Sequence, residues 1–505
     1  MTQTRKTVLD KDLKKIDRLE KASRQAGVEA GKLGLGILFL IGIFVFAAMS
    51  ENVGAGNLFI IVAAVIGGYM ALNIGANDVA NTMGPAVGSR ALTMVGALII
   101  AAIGNAAGAI LAGGDVVSTV SKGIIDVAAV GGDADTFIWA MMGALLAAAV
   151  WVNVATVIGA PVSTTHSIVG GVMGAGVAAA SFSAVNWVVM GKIAASWVIS
   201  PVLGGIIAAT ILLLIKFLIL FRDDKIEAAR RWVPVFVAVM ASAFGVYLTM
   251  KGFKKIWKPD AATIIGIGVG AFVATLIVVR KAVAKASARL ENSRKSVAEL
   301  FVIPLICATG LLAFAHGAND VANAIGPVAG IVNAVSTGGA LGKVAIPGWV
   351  LLIGGLGISI GLMLYGPKLI RKVGAKITKL NVARAYAVAL SAAITVIIAS
   401  ALGLPVSSTH IAVGGIFGVG FLREALASSR RGGQVVAAAA FANPGPGDGP
   451  AIGYAGRKAL KKNRKRKLVR RRHVFSIIAA WLVTVPAAAV MGAMFFFMLR
   501  GMLYH

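Results

Sequence analysis

Hydrophobic positions in this chain gather into long stretches that carry almost no charge. They fall near 34–50, 57–73, 91–112, 136–159, 187–221 (interrupted by Pro201), 231–250, 261–280, 297–315, 348–366, 384–403 and 474–499. A helix needs ~20 apolar residues to cross ~30 Å of hydrocarbon, and these stretches qualify. Between them lie short polar segments, many basic. The pattern predicts an all-α polytopic membrane protein with about 11–12 spanning segments.

Composition agrees. Of 505 residues, 58% are hydrophobic and only 14% charged, with a mean hydropathy of +0.87. That charge could not cover the surface of a soluble protein of this length. Gly170 with Gly174, and Gly414 with Gly418, repeat at the four-residue spacing that lets helix backbones approach closely in lipid. Cys307 is the single cysteine and lies in an apolar stretch, which excludes a disulfide and predicts a small buried hydrophobe.

The net charge of +29 would suggest nucleic acid in a soluble protein. Here the basic residues sit between apolar stretches, from Arg5 to Lys32, Arg280 to Lys295, Lys368 to Arg384 and Arg423 to Arg472. That is the signature of cytoplasmic loops facing anionic lipid, and no specific nucleic-acid partner follows from it. Residues 1–32 contain five acids among their bases, too mixed and too long for a signal peptide, so 33–52 reads as an uncleaved anchor helix. The segment 431–456 is rich in Gly, Pro and Ala and reads as flexible.

The chain repeats itself. GANDVANTMGPAVG at 75–88 returns as GANDVANAIGPVAG at 317–330, with ten of fourteen positions identical. PVSTTHSIVGGVMGAG at 161–176 returns as PVSSTHIAVGGIFGVG at 405–420, with ten of sixteen identical. The divisions expected are a cytoplasmic segment at 1–32, the anchor at 33–52 and a first repeat at 53–222. A central connection with two spanning helices follows at 223–296, then a second repeat at 297–422. A basic loop at 423–472 precedes the closing helix, 473–505. With 1–32 cytoplasmic, 51–56 is external and the first motif's span starts outside, while the second's starts inside, after basic 280–296. Opposite starts mean an inverted repeat, a transporter design that places substrate between the halves. Lys251, Lys254, Lys255 and Lys258 fall on the external side in this count.

Asn77, Asp78 and Asn81, with their counterparts Asn319, Asp320 and Asn323, lie within or against apolar sequence. An Asp at mid-membrane costs ~2.5–3.5 kcal/mol on insertion scales, so it must face a partner or a watery cavity. Gly75 and Gly84-Pro85, and Gly317 and Gly326-Pro327, bracket each cluster and predict broken helices. Freed carbonyls with a carboxylate and amides suit a hard cation such as sodium. In the other motif Pro161 or Pro405 stops one helix, and Ser163, Thr164 and Thr165, or Ser407, Ser408 and Thr409, open the next. Such a helix start offers unpaired N–H groups, hydroxyls and a positive dipole end, which make an anion site without Arg or Lys. The result is an inverted-repeat transporter with broken helices or re-entrant hairpins. His166 and His410 sit beside the caps and read first as structural. So does His316, since the first copy has Ile74 in its place.

These four segments closely resemble the inorganic phosphate transporter family, the PiT or Pho-4 symporters, across about 57–421 and the final span. The resemblance implies phosphate uptake across a cell (inner) membrane, driven by sodium in some members and by a proton or a metal–phosphate complex in others. It implies Ser163, Thr164, Thr165, Ser407, Ser408, Thr409, Asn77 and Asn319 as substrate contacts. Asp78, Asn81, Asp320 and Asn323 would couple the cation, with sodium at Asp78 and Asp320 as the one metal. No catalytic residue and no cofactor are implied, and a homodimer is left open. The rival readings are a sulfate or other oxyanion permease, a membrane-embedded phosphatase built on Ser, His and Asp, and an anion channel. Duplication of every candidate residue suits alternating access better than one-directional catalysis.

Overall fold

The computed structural model describes residues 8–50, 57–125, 134–160, 162–252, 259–337, 346–374, 380–442 and 471–503. Pro161, the expected external segment 51–56, Lys254, Lys255, Lys258 and most of the basic loop lie outside them. The described chain is almost wholly helical. Its main helices are α1 (Val8–Met49), α2 (Leu58–Gly88), α3 (Met94–Ala112), α4 (Ala134–Ile158), α5 (Thr164–Ala180), α6 (Trp187–Ile215) and α7 (Lys225–Tyr247). After these come α8 (Ala261–Ser287), α9 (Val302–Thr337), α10 (Gly348–Gly374), α11 (Val382–Ala401), α12 (Ser408–Ala442) and α13 (Arg471–Leu503). Eleven are long and apolar enough to cross a membrane, namely all but α5 and α12, the two that carry the second motif.

Local sequence sets many of the boundaries. Asn57 accepts the N–H groups of Phe59 and Ile60 to start α2, Asp224 those of Ile226 and Glu227 to start α7. Thr93, Asn186 and Asn381 cap α3, α6 and α11 in the same way. Once inside hydrocarbon, each helix satisfies its own backbone. Large apolar side chains stay exposed along α6 (Val198, Ile199, Val202, Ile206) and α8 (Ile265, Val269, Val273, Ile277), as surfaces meeting lipid require. Cys307 is also exposed, on α9, contrary to the buried position expected of it. In a membrane the outer face is as apolar as the inner, so hydrophobic sequence context cannot tell the two apart.

The helices of one repeat pack on those of the other. α2 lies along α10 and α9 along α3, while α5 lies along α13 and α12 along α6. Matching glycines make these crossings possible. A Cβ on Gly75 would stand 2.0 Å from the carbonyl oxygen of Ile358, and one on Gly317 would stand 2.1 Å from that of Asn105. A Cβ on Gly361 or Gly108 of the facing helices would likewise collide with the carbonyl oxygen of Leu72 or Phe314. A Cβ on Gly174 would collide with Ala489 O, and one on Gly418 with Gly205 O. Backbones in contact replace the side-chain interdigitation of a soluble core.

Two sequence expectations change here. The Asn-Asp motifs do not open their helices, for α2 and α9 run unbroken through Gly75 to Pro85 and Gly317 to Pro327. Their first glycines serve helix packing, and each Pro sits inside a continuous helix. Second, α12 continues as helix to Ala442, into the stretch read as flexible. The interruption in each repeat falls instead between α4 and α5 and between α11 and α12. There Gly159 (φ 73°) and Gly403 (φ 68°) take the left-handed conformation past the helix end. Ala160 N–H bonds to Ala155 O at 2.8 Å and Leu404 N–H to Ala399 O at 2.9 Å, closing each helix.

Gly75→Ala and Gly317→Ala are expected to lower thermal stability in detergent strongly. A backbone carbonyl cannot swing away as a side chain can, and overpacking costs about 1–3 kcal/mol or more. Gly84→Ala meets nothing within 4 Å and is expected to leave the unfolding temperature unchanged. Equal behaviour of all three variants would contradict glycine-mediated packing.

Candidate functional site

Four elements deliver the site: the middles of α2 and α9 and the starts of α5 and α12. Every candidate residue is buried, each no more than 6% exposed. Asp78 and Asp320 are both 1% exposed, and no lysine or arginine is among the buried polar residues described. Two carboxylates at that depth are tolerable only if several donors reach them.

The donors come from the second motif. Thr164 Oγ1 donates to Asp78 Oδ2 at 2.9 Å, and Ser408 Oγ donates to Asp320 Oδ2 at 2.8 Å. These are equivalent bonds in the two repeats. Others run between repeats. Asn81 Nδ2 donates to Thr409 Oγ1 at 2.8 Å, and Asn323 Nδ2 donates to Thr165 Oγ1 at 3.1 Å. Thr409 Oγ1 passes its own proton to Asp78 Oδ1 at 3.1 Å, so Asp78 accepts from both helix starts. Thr165 Oγ1 instead donates to Val406 O at 2.9 Å. The residues expected to hold the anion and those expected to hold the cation are therefore one hydrogen-bonded cluster.

Ser163 and Ser407 cap rather than reach inward. Each accepts the backbone N–H three residues on, from His166 at 3.1 Å and from His410 at 3.3 Å. Asn77 and Asn319 also differ from their expected place. Asn77 Nδ2 donates to Thr156 Oγ1 at 3.0 Å and Ala160 O at 3.4 Å. Asn319 Nδ2 donates to Ser400 Oγ at 2.9 Å and Leu404 O at 3.1 Å, while its Oδ1 accepts from Val406 N–H at 3.2 Å. Both amides brace the glycine turns that aim α5 and α12 at the acids. His166 stacks on Trp197 with centroids 3.7 Å apart and meets His410 edge-on at 4.6 Å. The paired histidines form an aromatic contact behind the two helix starts, in keeping with their structural reading.

His316, which reads as structural in the sequence, lies against both acids. Its Nε2 lies 2.9 Å from Asp320 Oδ2 and 3.8 Å from Asp78 Oδ2, and its Nδ1 lies 2.5 Å from Asn105 Oδ1. Two signals in the sequence could have found it. His316 precedes Asp320 by four residues, which puts both on one helix face. Asn105 is the lone polar side chain in the apolar run of α3. The matching positions in the other repeat, Ile74 and Ile358, are both apolar and fully buried, so this polar pair belongs to one half alone.

This duplicated cluster can be set beside known proteins. Residues 74–492 match the model of the phosphate transporter family, which covers both motif pairs and most of α13. A candidate phosphate permease of Helicobacter pylori (strain J99) is 45% identical over 523 aligned positions, spanning 96% of this chain and 98% of the relative. One from Pyrococcus abyssi is 36% identical, over 87% of this chain and 97% of its own. The solved structure of a sodium-dependent phosphate transporter superposes with a TM-score of 0.74 at 35% identity, covering 88% of this chain and all of that one. These similarities concern transporters, not enzymes, which sets aside the membrane phosphatase. This chain is a multi-pass membrane protein and belongs to the phosphate transporter family.

Proposed function

We propose that this protein carries inorganic phosphate across the membrane by symport with a cation, taken here as sodium. The observation that carries the reading is Asp78, whose two oxygens accept hydroxyls from both helix starts, Thr164 and Thr409. Those hydroxyls are donors that a phosphate oxygen at the helix starts would need. A carboxylate that holds them competes with the anion. A sodium ion on the carboxylate withdraws that competition and compensates the anion's charge. Cation and anion then favour each other's binding, and the dependence is reciprocal. In the second half Ser408 repeats the Thr164 bond on Asp320, without a second helix-start hydroxyl.

The oxygen-rich donor set suits sodium, a hard cation, and the superposable neighbour is described as sodium-dependent. Hydrogen phosphate can donate to a carboxylate as well as accept from hydroxyls, whereas sulfate only accepts. Acids bonded to the helix-start hydroxyls favour phosphate on that ground. The crosswise pairs Asn81–Thr409 and Asn323–Thr165 fit two repeats of opposite orientation rocking about a shared site. An anion channel would have no need for two acids buried among those donors.

Thr164→Val and Ser408→Ala each remove a hydroxyl bonded to a carboxylate. Such bonds are worth about 1.5–3 kcal/mol, so the KM for phosphate is expected to rise about tenfold or more, and the sodium dependence to shift with it. Ser163→Ala should chiefly lower stability, by about 1 kcal/mol, because it loses a helix cap. Proteoliposome uptake and thermal unfolding separate the two effects. An unchanged KM in both hydroxyl variants would remove these helix starts from the substrate site.

Asp78→Asn and Asp320→Asn are expected to fold, since an amide costs less to bury than a carboxylate, and to lose gradient-driven accumulation. Normal sodium-dependent accumulation by either would make that acid a structural element. Orientation is tested by impermeant thiol reagents on single cysteines at 52 and 440, after Cys307 is replaced. Labelling from opposite faces is expected. Labelling from the same face would contradict the inverted arrangement.

A further inference from the structure

His316 breaks the internal symmetry beside the two buried acids, and the phosphate and sodium reading assigns it no task. Its surroundings specify its chemistry. Asn105 Nδ2 donates to Ala101 O at 2.7 Å, which turns Asn105 Oδ1 toward the imidazole. The contact of 2.5 Å to that oxygen then requires the proton on Nδ1 of His316. Nε2 faces the two carboxylates and pairs with Asp320 Oδ2 at 2.9 Å, the position a metal ion would take by displacing the proton between them. Asp320 Oδ1 is buried without a hydrogen-bond partner. One ligand atom from each of Asp78, His316 and Asp320 lies within 4.8 Å of the other two.

We propose that Asp78, His316 and Asp320 form a binding site for a divalent metal ion of the zinc or cobalt kind. Nε2 of His316 and one oxygen from each carboxylate are the ligands. In a tetrahedral site with bonds of about 2.0–2.2 Å, ligand atoms stand roughly 3.3–3.6 Å apart. The distances of 2.9 Å to Asp320 and 3.8 Å to Asp78 bracket that spacing. His316 and Asp320 stand four residues apart on α9, the spacing that lets two side chains of one helix grip one ion. Asn105 plays the part of an outer partner, fixing the tautomer that leaves Nε2 free to bind metal.

Charge alone allows two monovalent cations or one divalent ion, since either would balance two carboxylates that have given up their protons. The imidazole decides in favour of the second. Sodium takes oxygen ligands, while an imidazole nitrogen suits zinc and its transition-metal neighbours. Asp78 comes from α2 and the other two ligands from α9, so a bound ion would tie the repeats together at the acids that otherwise serve coupling. Such an ion competes with sodium and holds the carrier still. The proposal rests on the reading of Asp78 and Asp320 as cation-holding acids.

The experiment titrates untagged, purified full-length protein with cobalt(II), following visible d–d absorption, with sodium-dependent phosphate binding measured on the same sample. One cobalt per chain is expected, with sodium weakening its apparent affinity. Affinity should fall about 10–100-fold in Asn105→Ala, the range seen for outer partners, and the absorption should vanish in Asp320→Asn and His316→Ile. His316→Gln, which keeps a polar group against Asn105, carries the test if His316→Ile unfolds. Cobalt bound with the same spectrum in the histidine variants would overturn the site. A wild-type protein that binds phosphate with sodium but takes no cobalt would overturn it too, while leaving the transport reading intact. Loss of sodium-dependent phosphate binding in the folded wild type would count against both.

Discussion

The structure depends on holding two acidic side chains in the middle of a hydrophobic bundle. Asp78 and Asp320 have no buried lysine or arginine beside them among the described residues. Hydroxyl donors must reach them, and these come from chain segments far away in sequence. Thr164 lies 86 residues from Asp78, and Thr409 lies 331 residues away. A buried charge left without such donors costs several kcal/mol. The acids therefore hold the starts of α5 and α12 against the middles of α2 and α9, and the site assembles only when both repeats are in place.

That requirement explains the rest of the architecture. To bring the helix starts onto the acids, the chain must turn after α4 and α11, where Gly159 and Gly403 take the left-handed conformation. Asn77 and Asn319 then fasten the turns. The flanking helices must approach to backbone contact, which Gly75, Gly317, Gly174 and Gly418 permit. Each device occurs twice. Where the duplication lapses, at His316 with Asn105 against Ile74 with Ile358, the departure lies directly on the acids. A polar pair at that point reads as chemistry more than packing, since apolar side chains fill the same crossing in the other half.

Much of this was legible in the sequence. Charge-free runs mark the spans because hydrocarbon thickness sets their length; about 11–12 are expected, and the described residues contain eleven. Ser163 and Ser407 announced helix starts through capping chemistry that is local. Tertiary matters were less visible. Gly75 and Gly84-Pro85 read as helix breakers because local propensity cannot register that Ile358 presses against Gly75 from another helix. Asn319 looked like a substrate contact because nothing in its own segment shows that Ser400 and Leu404 occupy it. Cys307 could not be assigned to the lipid face or the core, since both faces of α9 are apolar. His316 gains its meaning from Asp78 and Asn105, which reach it from other helices, and the repeat itself shows only an apolar Ile74 in its place.

The central claim is that anion and cation meet at one hydrogen-bonded cluster shared by both repeats. The most direct test is a high-resolution map of the protein loaded with sodium and phosphate. The account expects phosphate at the starts of α5 and α12, within hydrogen-bonding distance of Thr164, Thr165, Ser408 and Thr409, with sodium on Asp78 and Asp320. Phosphate lodged away from these hydroxyls, or sodium bound without touching either carboxylate, would contradict it.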